Sequence, residues 1–190
     1  MTFDVIMAGH GGQGIMLMGQ ILAYSAMLEG KHVTWMPSYG PEMRGGTANC
    51  TVVLSDEPVG SPVVSRPQVV VAMNTPSFVK FESVVKEGGI FIYNSSLVKL
   101  ESKRKDLVKH SVDATQTAVE MGNIRVANMV ALGALIAATK VVSLDSAKVA
   151  LSKVLPAHRQ DLISLNLKAL QIMGTVLSIG TDLIRPLQNS

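Results

Sequence analysis

The sequence contains a single cysteine, Cys50, and few charged or aromatic residues. One cysteine excludes an intrachain disulfide, a zinc site made only of cysteines, and an iron–sulfur cluster held by this chain alone. Charged residues make up 16% of the chain and aromatic residues 4%. Because the charged share of a typical domain is roughly 25%, we expect either a membrane protein or a protein whose surface is partly covered by a partner.

The sequence also lacks a long apolar run, and its first residues do not have the pattern of a leader peptide. The best run, residues 126–139, contains Asn128 and Gly133 and is shorter than the roughly 20 residues that a membrane-spanning helix needs. The N-terminus has no basic segment followed by an apolar stretch and a cleavage site. We therefore expect no membrane interaction, no secretory signal and a cytoplasmic location.

The net charge is small at +3, although the sequence pI is near 9.1. The basic residues cluster only at residues 99–109, where Glu101 and Asp106 interrupt them and no aromatic residue accompanies them. A nucleic-acid surface needs a continuous basic stripe or aromatic stacking groups. We therefore interpret this cluster as a solvated linker or helix face and expect no nucleic-acid partner.

Short apolar runs alternate with helical patterns along the chain, and residues 56–67 carry too many prolines and glycines for a helix. Helix one is expected to stop at Gly30, and the stretch Ser143-Leu144-Asp145 is expected to be a break that offers an N-cap residue. The predicted strands are residues 3–8, 32–36, 47–54, 69–73, 89–93 and 107–112. The predicted helices are residues 15–29, 76–86, 124–139, 145–155 and 162–178.

This alternation predicts an α/β fold with three layers: a Rossmann-like, mainly parallel sheet with helices on both faces. The C-terminal region, from about Ala114 onward, is predicted to be helical. A length of 190 residues suits one domain spanning residues 1–190. Ligands of such sheets bind beyond the carboxyl ends of the strands, a rule that selects the loops Gly9–Gly14, Pro37–Gly46, Asn74–Thr75 and Asn94–Ser96.

The segment Gly9–Gly14 follows a strand, opens a helix and has the spacing Gly-x-Gly-x-x-Gly. Glycines allow close backbone approach to a phosphate, and a helix N-terminus supplies unpaired N–H groups. The alternative is a tight turn without a ligand. An ordinary NAD site is disfavoured, because strand two ends in Trp35-Met36-Pro37 rather than in an acidic residue.

The second informative loop, Pro37–Gly46, combines two prolines with three glycines. Ser38, Tyr39, Glu42 and Arg44 are expected to project beside the first loop. Arg44 can pair with a carboxylate or phosphate of a ligand, or it can pair with Glu42 and brace the loop.

The sequence analysis identifies no catalytic residue. His10 has no local carboxylate and is interpreted as a spacer or interface residue. Cys50 lies within a predicted strand, which indicates an inert buried thiol. The sequence contains no phosphate-binding loop of the Gly-Lys-Ser/Thr type, no nucleophile elbow and no metal-ligand spacing.

Three segments together resemble the gamma subunit of 2-oxoacid:ferredoxin oxidoreductases: IMAGHGGQG at 6–14, PSYGPEMRGGTA at 37–48 and NMVALGA at 128–134. The resemblance implies oxidative cleavage of a 2-oxoacid, transfer of the acyl group to coenzyme A, and electron transfer to ferredoxin. Thiamine diphosphate with Mg, and the iron–sulfur clusters, are then expected on the alpha, beta and delta partner subunits. This chain itself would hold no cofactor and would help to shape the approach of coenzyme A, the co-substrate.

Within that family the form of residues 40–50 resembles 2-oxoglutarate enzymes, so we rank 2-oxoglutarate before branched-chain 2-oxoacids and pyruvate. A stand-alone nucleotide-binding module and the equivalent subunit of an indolepyruvate oxidoreductase are the alternatives.

Without partners, the chain is expected to self-associate. Asn128 is interpreted as a locally paired helix residue or an interface residue. The expected ligand-binding residues are Gly11, Gly12, Gln13, Gly14, Ser38, Tyr39, Glu42, Arg44, Gly45, Gly46, Thr47 and Asn74.

Overall fold

The computed structural model describes residues 1–40, 46–155 and 162–179, and the side chains of the last helix as far as Met173. The strands of these residues are β1 (Thr2–His10), β2 (His32–Tyr39), β3 (Thr47–Ser55), β4 (Val69–Ala72), β5 (Ile90–Asn94) and β6 (Val108–Val112). The helices are α1 (Ile15–Leu28), α2 (Thr75–Glu82), α3 (Ala114–Glu120), α4 (Ala127–Thr139), α5 (Leu144–Val154) and α6 (Ile163–Ile179), with a 3-10 helix at Ile124–Val126 before α4.

The strands form one sheet in the order β2-β3-β1-β4-β5-β6. Strand β1 pairs in parallel with β4, β4 with β5, and β5 with β6. Strand β3 is antiparallel to both of its neighbours, β1 and β2. The sheet is therefore mixed, but only β3 runs against the common direction, and the predicted mainly parallel α/β sheet is confirmed.

Helices cover both faces of the sheet, as predicted, but unequally. Alternate residues of a strand face opposite sides of the sheet. In β1, Val5 and Met7 belong to the core beneath α1 and α4. Ile6, between them, belongs to the core beneath α2. The first core also contains residues of α3, α5 and α6. The second is a smaller cluster in which Phe78 of α2 contacts Phe91 edge-on, with ring centroids 5.0 Å apart.

Strand β2 is longer than predicted, and the assignment of residues 37–39 to a loop was wrong. Pro37 lies in the strand, opposite Cys50 of β3. A proline lacks an N–H group and is tolerated in a sheet at an edge strand. Among the described strands, β2 lies at the edge of the sheet and pairs with β3 alone. The missing N–H group of Pro37 therefore breaks no hydrogen bond to a second neighbouring strand.

Helix α2 is shorter than the predicted 76–86 segment and ends at Glu82. The Arg104 guanidinium donates to the carbonyl oxygens of Glu82, Ser83 and Val85, just beyond the end of the helix. Carbonyl groups at a helix C-terminus have no intrahelical partner, and a cation there satisfies them. Arg104 of the basic cluster thus has a structural role.

The helix boundaries that the sequence signals most clearly are confirmed. Helix α1 ends at Leu28, and Gly30 follows with φ 77°. Ser143 caps α5, its hydroxyl accepting a hydrogen bond from the Ser146 N–H at 3.1 Å. No helix in the described ranges is both long enough and apolar enough to span a bilayer.

Two glycines allow helices to approach their neighbours closely. A Cβ atom at Gly19 of α1 would lie 2.5 Å from the Cys50 sulfur and 2.8 Å from the Trp35 indole nitrogen. A Cβ atom at Gly133 of α4 would lie 2.3 Å from the Leu170 carbonyl oxygen of α6. All three distances are shorter than van der Waals contact, so the packing of α1 on β2 and β3, and of α4 on α6, depends on the missing side chain.

We expect Gly133→Ala to lower the free energy of unfolding by about 1–3 kcal/mol or more, because α4 and α6 must separate to admit the methyl group. Urea denaturation followed by circular dichroism measures this change. Gly60→Ala is the matched control, since a Cβ atom at Gly60 meets no atom within 4 Å. A Gly133→Ala protein as stable as the control would contradict the close packing.

We expect Cys50 to be unreactive in the native protein. Its side chain is fully buried, and burial raises the pKa of its thiol to about 12. At pH 8 only about one molecule in ten thousand would carry the reactive thiolate. Titration with 5,5′-dithiobis(2-nitrobenzoate) should release one equivalent of chromophore in 6 M guanidinium and almost none without denaturant. Rapid native labelling would show that the strand opens.

Candidate functional site

A cavity of about 210 Å³ lies at the carboxyl end of β1 and β4. The segments that line it come from four parts of the chain: the glycine loop, the end of β4, the β5–α3 region and the entry to α4. The lining residues are His10, Gly12, Gln13, Met73, Leu97, Thr115, Ile124, Arg125 and Ala127. This cavity lies beside the first of the predicted loops, at the end of the sheet that the rule selects.

The glycine loop leaves two backbone N–H groups unpaired within the described part of the chain. The N–H of Gly11 donates to the Gly46 carbonyl at 3.0 Å, and the N–H of Gln13 donates to the His10 carbonyl at 3.2 Å. Gly12 and Gly14 have positive φ angles, 98° and 71°, and their N–H groups have no acceptor in the described residues. Of the four predicted phosphate donors, Gly12 and Gly14 remain available.

The side chain of Gln13 holds the loop against the sheet. Its amide oxygen accepts the His10 N–H at 2.9 Å, and its amide nitrogen donates to the Met73 carbonyl at 3.2 Å. A Cβ atom at Gly9 would lie 2.5 Å from that same amide oxygen. Gln13 is thus a residue that shapes the loop, and the glycine at position 9 makes room for its side chain.

Asn128 connects helix α4 to the glycine loop. It is buried, and its amide nitrogen donates to the Gly14 carbonyl oxygen at 3.2 Å. A Cβ atom at Gly14 would lie 2.3 Å from this nitrogen, so the glycine is required by the contact as well as by its φ angle. The predicted local pairing is present, since the Asn128 amide oxygen accepts the Met129 N–H at 2.9 Å, but the amide nitrogen bonds a residue 114 positions away along the chain.

A second buried amide, Asn94, joins the ends of β4 and β5 to helix α3. Its amide nitrogen donates to the Met73 carbonyl at 3.3 Å and to the Thr115 hydroxyl at 2.8 Å. Its amide oxygen accepts the Thr115 N–H at 3.3 Å. Thr115 lines the cavity, so this amide positions one wall.

Arg125 and Ile124 at the cavity are functional candidates that the sequence analysis missed. They lie on the 3-10 helix, which begins after Asn123, whose side chain accepts the Arg125 N–H at 3.0 Å. The available sequence signal was a Gly-Asn pair, Gly122-Asn123, directly before an apolar helix. That pattern indicates a turn but does not reveal which cavity the turn reaches.

The other predicted ligand residues lie elsewhere. Asn74 caps α2, its side chain accepting the Ser77 N–H at 2.9 Å. Ser38, Tyr39 and Thr47 are exposed at the end of the β2–β3 hairpin, and none of them lines the cavity. Glu42, Arg44 and Gly45 lie outside the described residues.

The register of the sheet separates the hairpin from the glycine loop. Tyr39 is paired with Ala48, and Ala48 is paired with Gly9. With strands about 4.8 Å apart, Tyr39 lies about 10 Å from β1. Ser38 and Tyr39 are therefore not adjacent to the loop as expected, because β3 lies between them.

The electrostatics of the cavity favour an anion. None of its lining residues is acidic, and Arg125 contributes a guanidinium group. The α1 N-terminus adds partial positive charge. The His10 ring nitrogen Nδ1 lies 2.9 Å from the Gly11 carbonyl oxygen and donates to it, and Nε2 has no partner among the described residues. Over the described ranges, no group of three or more His, Cys, Asp or Glu residues could hold a metal ion.

Comparison with known proteins identifies relatives along most of the chain. The family model described as "Pyruvate ferredoxin/flavodoxin oxidoreductase" matches residues 4–172. The ketoisovalerate oxidoreductase subunit VorA of Methanothermobacter marburgensis is 47% identical over 133 residues, which are 70% of this chain and 28% of that relative. The 2-oxoglutarate synthase subunit KorC of Methanocaldococcus jannaschii is 36% identical over 164 residues, which are 85% of this chain and 88% of that relative.

Two solved structures have the same fold. The gamma subunit of a keto/oxoacid ferredoxin oxidoreductase from Geobacter sulfurreducens superposes with a TM-score of 0.82 at 31% identity, over 97% of this chain and 99% of that chain. A 2-oxoglutarate:ferredoxin oxidoreductase from Magnetococcus marinus, solved with 2-oxoglutarate, coenzyme A and succinyl-CoA bound, superposes with a TM-score of 0.84 at 26% identity, over all of this chain and 33% of that chain.

The chain thus spans nearly the whole of one gamma subunit and of one KorC subunit, but only 28% of the VorA relative. The glycine loop, helix α4 and all of the sheet except the first two residues of β1 lie within the matched residues 4–172. We conclude that the chain belongs to the pyruvate ferredoxin/flavodoxin oxidoreductase family and is related to the gamma subunits of 2-oxoacid:ferredoxin oxidoreductases.

Proposed function

We propose that this chain is the gamma subunit of a 2-oxoacid:ferredoxin oxidoreductase complex. The complex would oxidatively decarboxylate a 2-oxoacid, form the acyl thioester of coenzyme A and transfer two electrons to ferredoxin. The observation that carries the proposal is the likeness to a gamma subunit over 97% of this chain and 99% of that one. Because the match covers almost the whole of one subunit, we propose that this chain is a subunit of the enzyme and not the complete enzyme.

The residues of this chain fit a non-catalytic role. Its one cysteine is buried, and burial raises the pKa of its thiol to about 12, which disfavours a role as nucleophile or cluster ligand. The described side chains include no cluster suited to Mg²⁺ or iron. We propose that the alpha, beta and delta partners hold thiamine diphosphate, Mg²⁺ and the iron–sulfur clusters, and we assign no chemical step to this chain.

We also propose that the cavity binds the phosphorylated part of coenzyme A. The N–H groups of Gly12 and Gly14 are unpaired within the described residues and lie at the positive end of α1. The Magnetococcus relative was solved with coenzyme A bound, which supports a coenzyme A function for an enzyme of this fold. Arg44 is proposed to add a cation from the second loop.

For the 2-oxoacid we propose 2-oxoglutarate first, branched-chain 2-oxoacids second and pyruvate third. The KorC relative, a 2-oxoglutarate synthase subunit, aligns over 88% of its own length. The VorA relative, a ketoisovalerate oxidoreductase subunit, has the higher identity, 47%, but over a shorter segment. The sequence of residues 40–50 supports the first choice.

Strand β2 is the proposed contact with partner subunits. It is an edge strand, with unpaired backbone groups along one side. Met36 and Tyr39 on it are 37% and 69% exposed. A partner that covered this edge would also account for the low share of charged residues in the chain.

The first test is purification of the chain from its native source under mild conditions. We expect it to copurify with polypeptides that carry thiamine diphosphate and iron–sulfur clusters, giving a brown complex. The complex should reduce ferredoxin when both coenzyme A and 2-oxoglutarate are present, with a higher kcat/KM than for branched-chain 2-oxoacids or pyruvate. A colourless monomer that binds NAD or ATP tightly would instead support a stand-alone nucleotide-binding module.

The second test compares two glycines that both have a positive φ angle. Gly12 and Gly30 have φ angles of 98° and 77°, and a Cβ atom at either meets nothing within 4 Å. Gly12→Ala and Gly30→Ala should each lower the free energy of unfolding by about 1 kcal/mol. Only Gly12→Ala should also raise the KM for coenzyme A, by about 3- to 10-fold, because its methyl group would lie at the cavity.

Steady-state kinetics of the complete complex separates the two effects. The KM for the 2-oxoacid should be the same in both variants, since the reacting carbon is bound by other subunits. Equal coenzyme A kinetics in the two variants would show that the glycine loop does not contact the co-substrate.

A further inference from the structure

The outer edge of strand β2 carries backbone groups that the sheet does not use. In an antiparallel pair of strands, opposite residues alternate between pairs that exchange hydrogen bonds and pairs that do not. The Gly40 N–H donates to the Thr47 carbonyl at 2.7 Å, one residue beyond the end of β2 and in the same register. Counting back from this pair, the even-numbered residues of β2 bond β3, and the odd-numbered residues direct their N–H and carbonyl groups outward.

The residues with outward backbone groups are Val33, Trp35, Pro37 and Tyr39. Val33, Trp35 and Tyr39 each present an N–H and a carbonyl group. Pro37 presents only a carbonyl group, because proline has no N–H. Among the described residues, none of these outward groups has a hydrogen-bond partner. The edge is thus a row of donors and acceptors in which a single donor is missing.

The surface beside this edge has almost no charge. Edge strands in soluble proteins are commonly protected by charged side chains or by a covering segment. Among residues 5–41 only Glu29 and Lys31 are charged, and both bind the segment that leads into α5. The Lys31 ammonium donates to the Val141 carbonyl, and the Glu29 carboxylate accepts the Ser143 N–H. No charged side chain of β2 therefore keeps a second strand away.

Helix α1 extends this uncharged surface above β2. Its Gly19 faces the sheet, where a Cβ atom would lie 2.8 Å from the Trp35 indole nitrogen. Met27 and Leu28 of the same helix are exposed, and α1 contains no charged residue. Helix α1 contacts β2 and β3, whereas α4 contacts β5, so α1 is the helix near the edge. If two sheets joined at β2, their α1 helices would lie about 10–14 Å apart, close to the roughly 8–10 Å of packed helices.

We propose that two copies of this chain pair through their β2 strands, antiparallel and related by a two-fold axis at Met36. In this register Trp35 lies opposite Pro37 of the second copy, and Val33 lies opposite its Tyr39. The two six-stranded sheets then form one continuous sheet. The inference names a second copy of this chain as the partner at β2, so it rests on the contact proposed above but not on the proposed reaction.

This register gives every outward N–H group an acceptor. The N–H groups of Val33 and Tyr39 each bond the carbonyl of the other residue, and the Trp35 N–H bonds the Pro37 carbonyl. Only the Trp35 carbonyl then lacks a donor. A shift of two residues in either direction would place Val33 or Tyr39 beyond the end of the other β2 strand. The missing donor at Pro37 therefore leaves the pairing intact, and the two-fold axis makes each contact twice.

The first test measures self-association of the full chain by sedimentation equilibrium, and we expect the unmodified chain to be a dimer. Because Met36 lies on the axis, Met36→Lys places two ammonium groups opposite each other and should raise the dimer Kd by about 10- to 100-fold. Met36→Glu should have the same effect, and an equimolar mixture of the two variants should form a heterodimer. Val79→Lys is the matched control, since Val79 is equally an exposed apolar residue but lies on α2, which contacts β4.

Disulfide cross-linking tests the register. Met36→Cys would place two thiols in a pair without hydrogen bonds, with Cα atoms about 4.5 Å apart, which a disulfide can join. Ser38→Cys is the matched control on the same face of the strand, because its two copies would lie about 14 Å apart. Mild oxidation should link Met36→Cys chains and leave Ser38→Cys chains single. The native Cys50 is buried and does not interfere.

The outcomes separate this inference from the proposed function. A monomeric unmodified chain at high concentration would overturn the inference, as would a dimer that Met36→Lys does not weaken or that Ser38→Cys cross-links better than Met36→Cys. If Met36→Lys instead prevented assembly with the other subunits while the unmodified chain alone stayed monomeric, the edge would belong to a different subunit. A paired chain whose complex oxidises no 2-oxoacid would refute the proposed function and leave the inference intact.

Discussion

The hydrogen bond between the Asn128 amide and the Gly14 carbonyl joins helix α4 to the glycine loop, and the geometry of the candidate site depends on it. The bond is 3.2 Å long and its donor is buried. It is possible only because Gly14 has no side chain, since a Cβ atom there would lie 2.3 Å from the amide nitrogen. The bond therefore joins two motifs that are far apart in the sequence. Arg125, three residues before Asn128, lines the same cavity as Gly12.

Around this bond, polar side chains at the end of the sheet serve the backbone. Gln13 and Asn94 both donate to the Met73 carbonyl, and Asn94 also bonds Thr115. Buried amides are stable when their hydrogen-bonding groups are paired, and here the pairing joins β1, β4, β5 and α3. As a result, the groups of the described residues left for a ligand at the cavity include the Gly12 N–H and the exposed Arg125. Such groups are suited to an anion, in line with the binding role proposed above.

Much of the fold could be predicted because its signals are local. Apolar runs such as Val69–Ala72, the positive φ angle of Gly30 and the Ser143 cap depend on neighbours in the sequence. Where the prediction was wrong, a distant contact decided the outcome. Pro37 is part of a strand because β2 lies at the edge of the sheet, and α2 ends at Glu82 where Arg104, 22 residues later, satisfies its carbonyl groups.

The candidate site divides in the same way. The sequence by itself determined the α/β class, the glycine loop at the end of β1, the absence of a cysteine-based cofactor site and the resemblance to gamma subunits. Only the tertiary structure decided that Gly12 and Gly14 keep free N–H groups within the described residues while Gly11 and Gln13 do not. It also decided that Arg125 lies at the cavity and that Ser38 and Tyr39 do not. The reason is physical: a glycine pattern specifies backbone freedom, whereas the partner of each N–H group and the neighbours of each side chain are set by contacts between residues far apart in the chain.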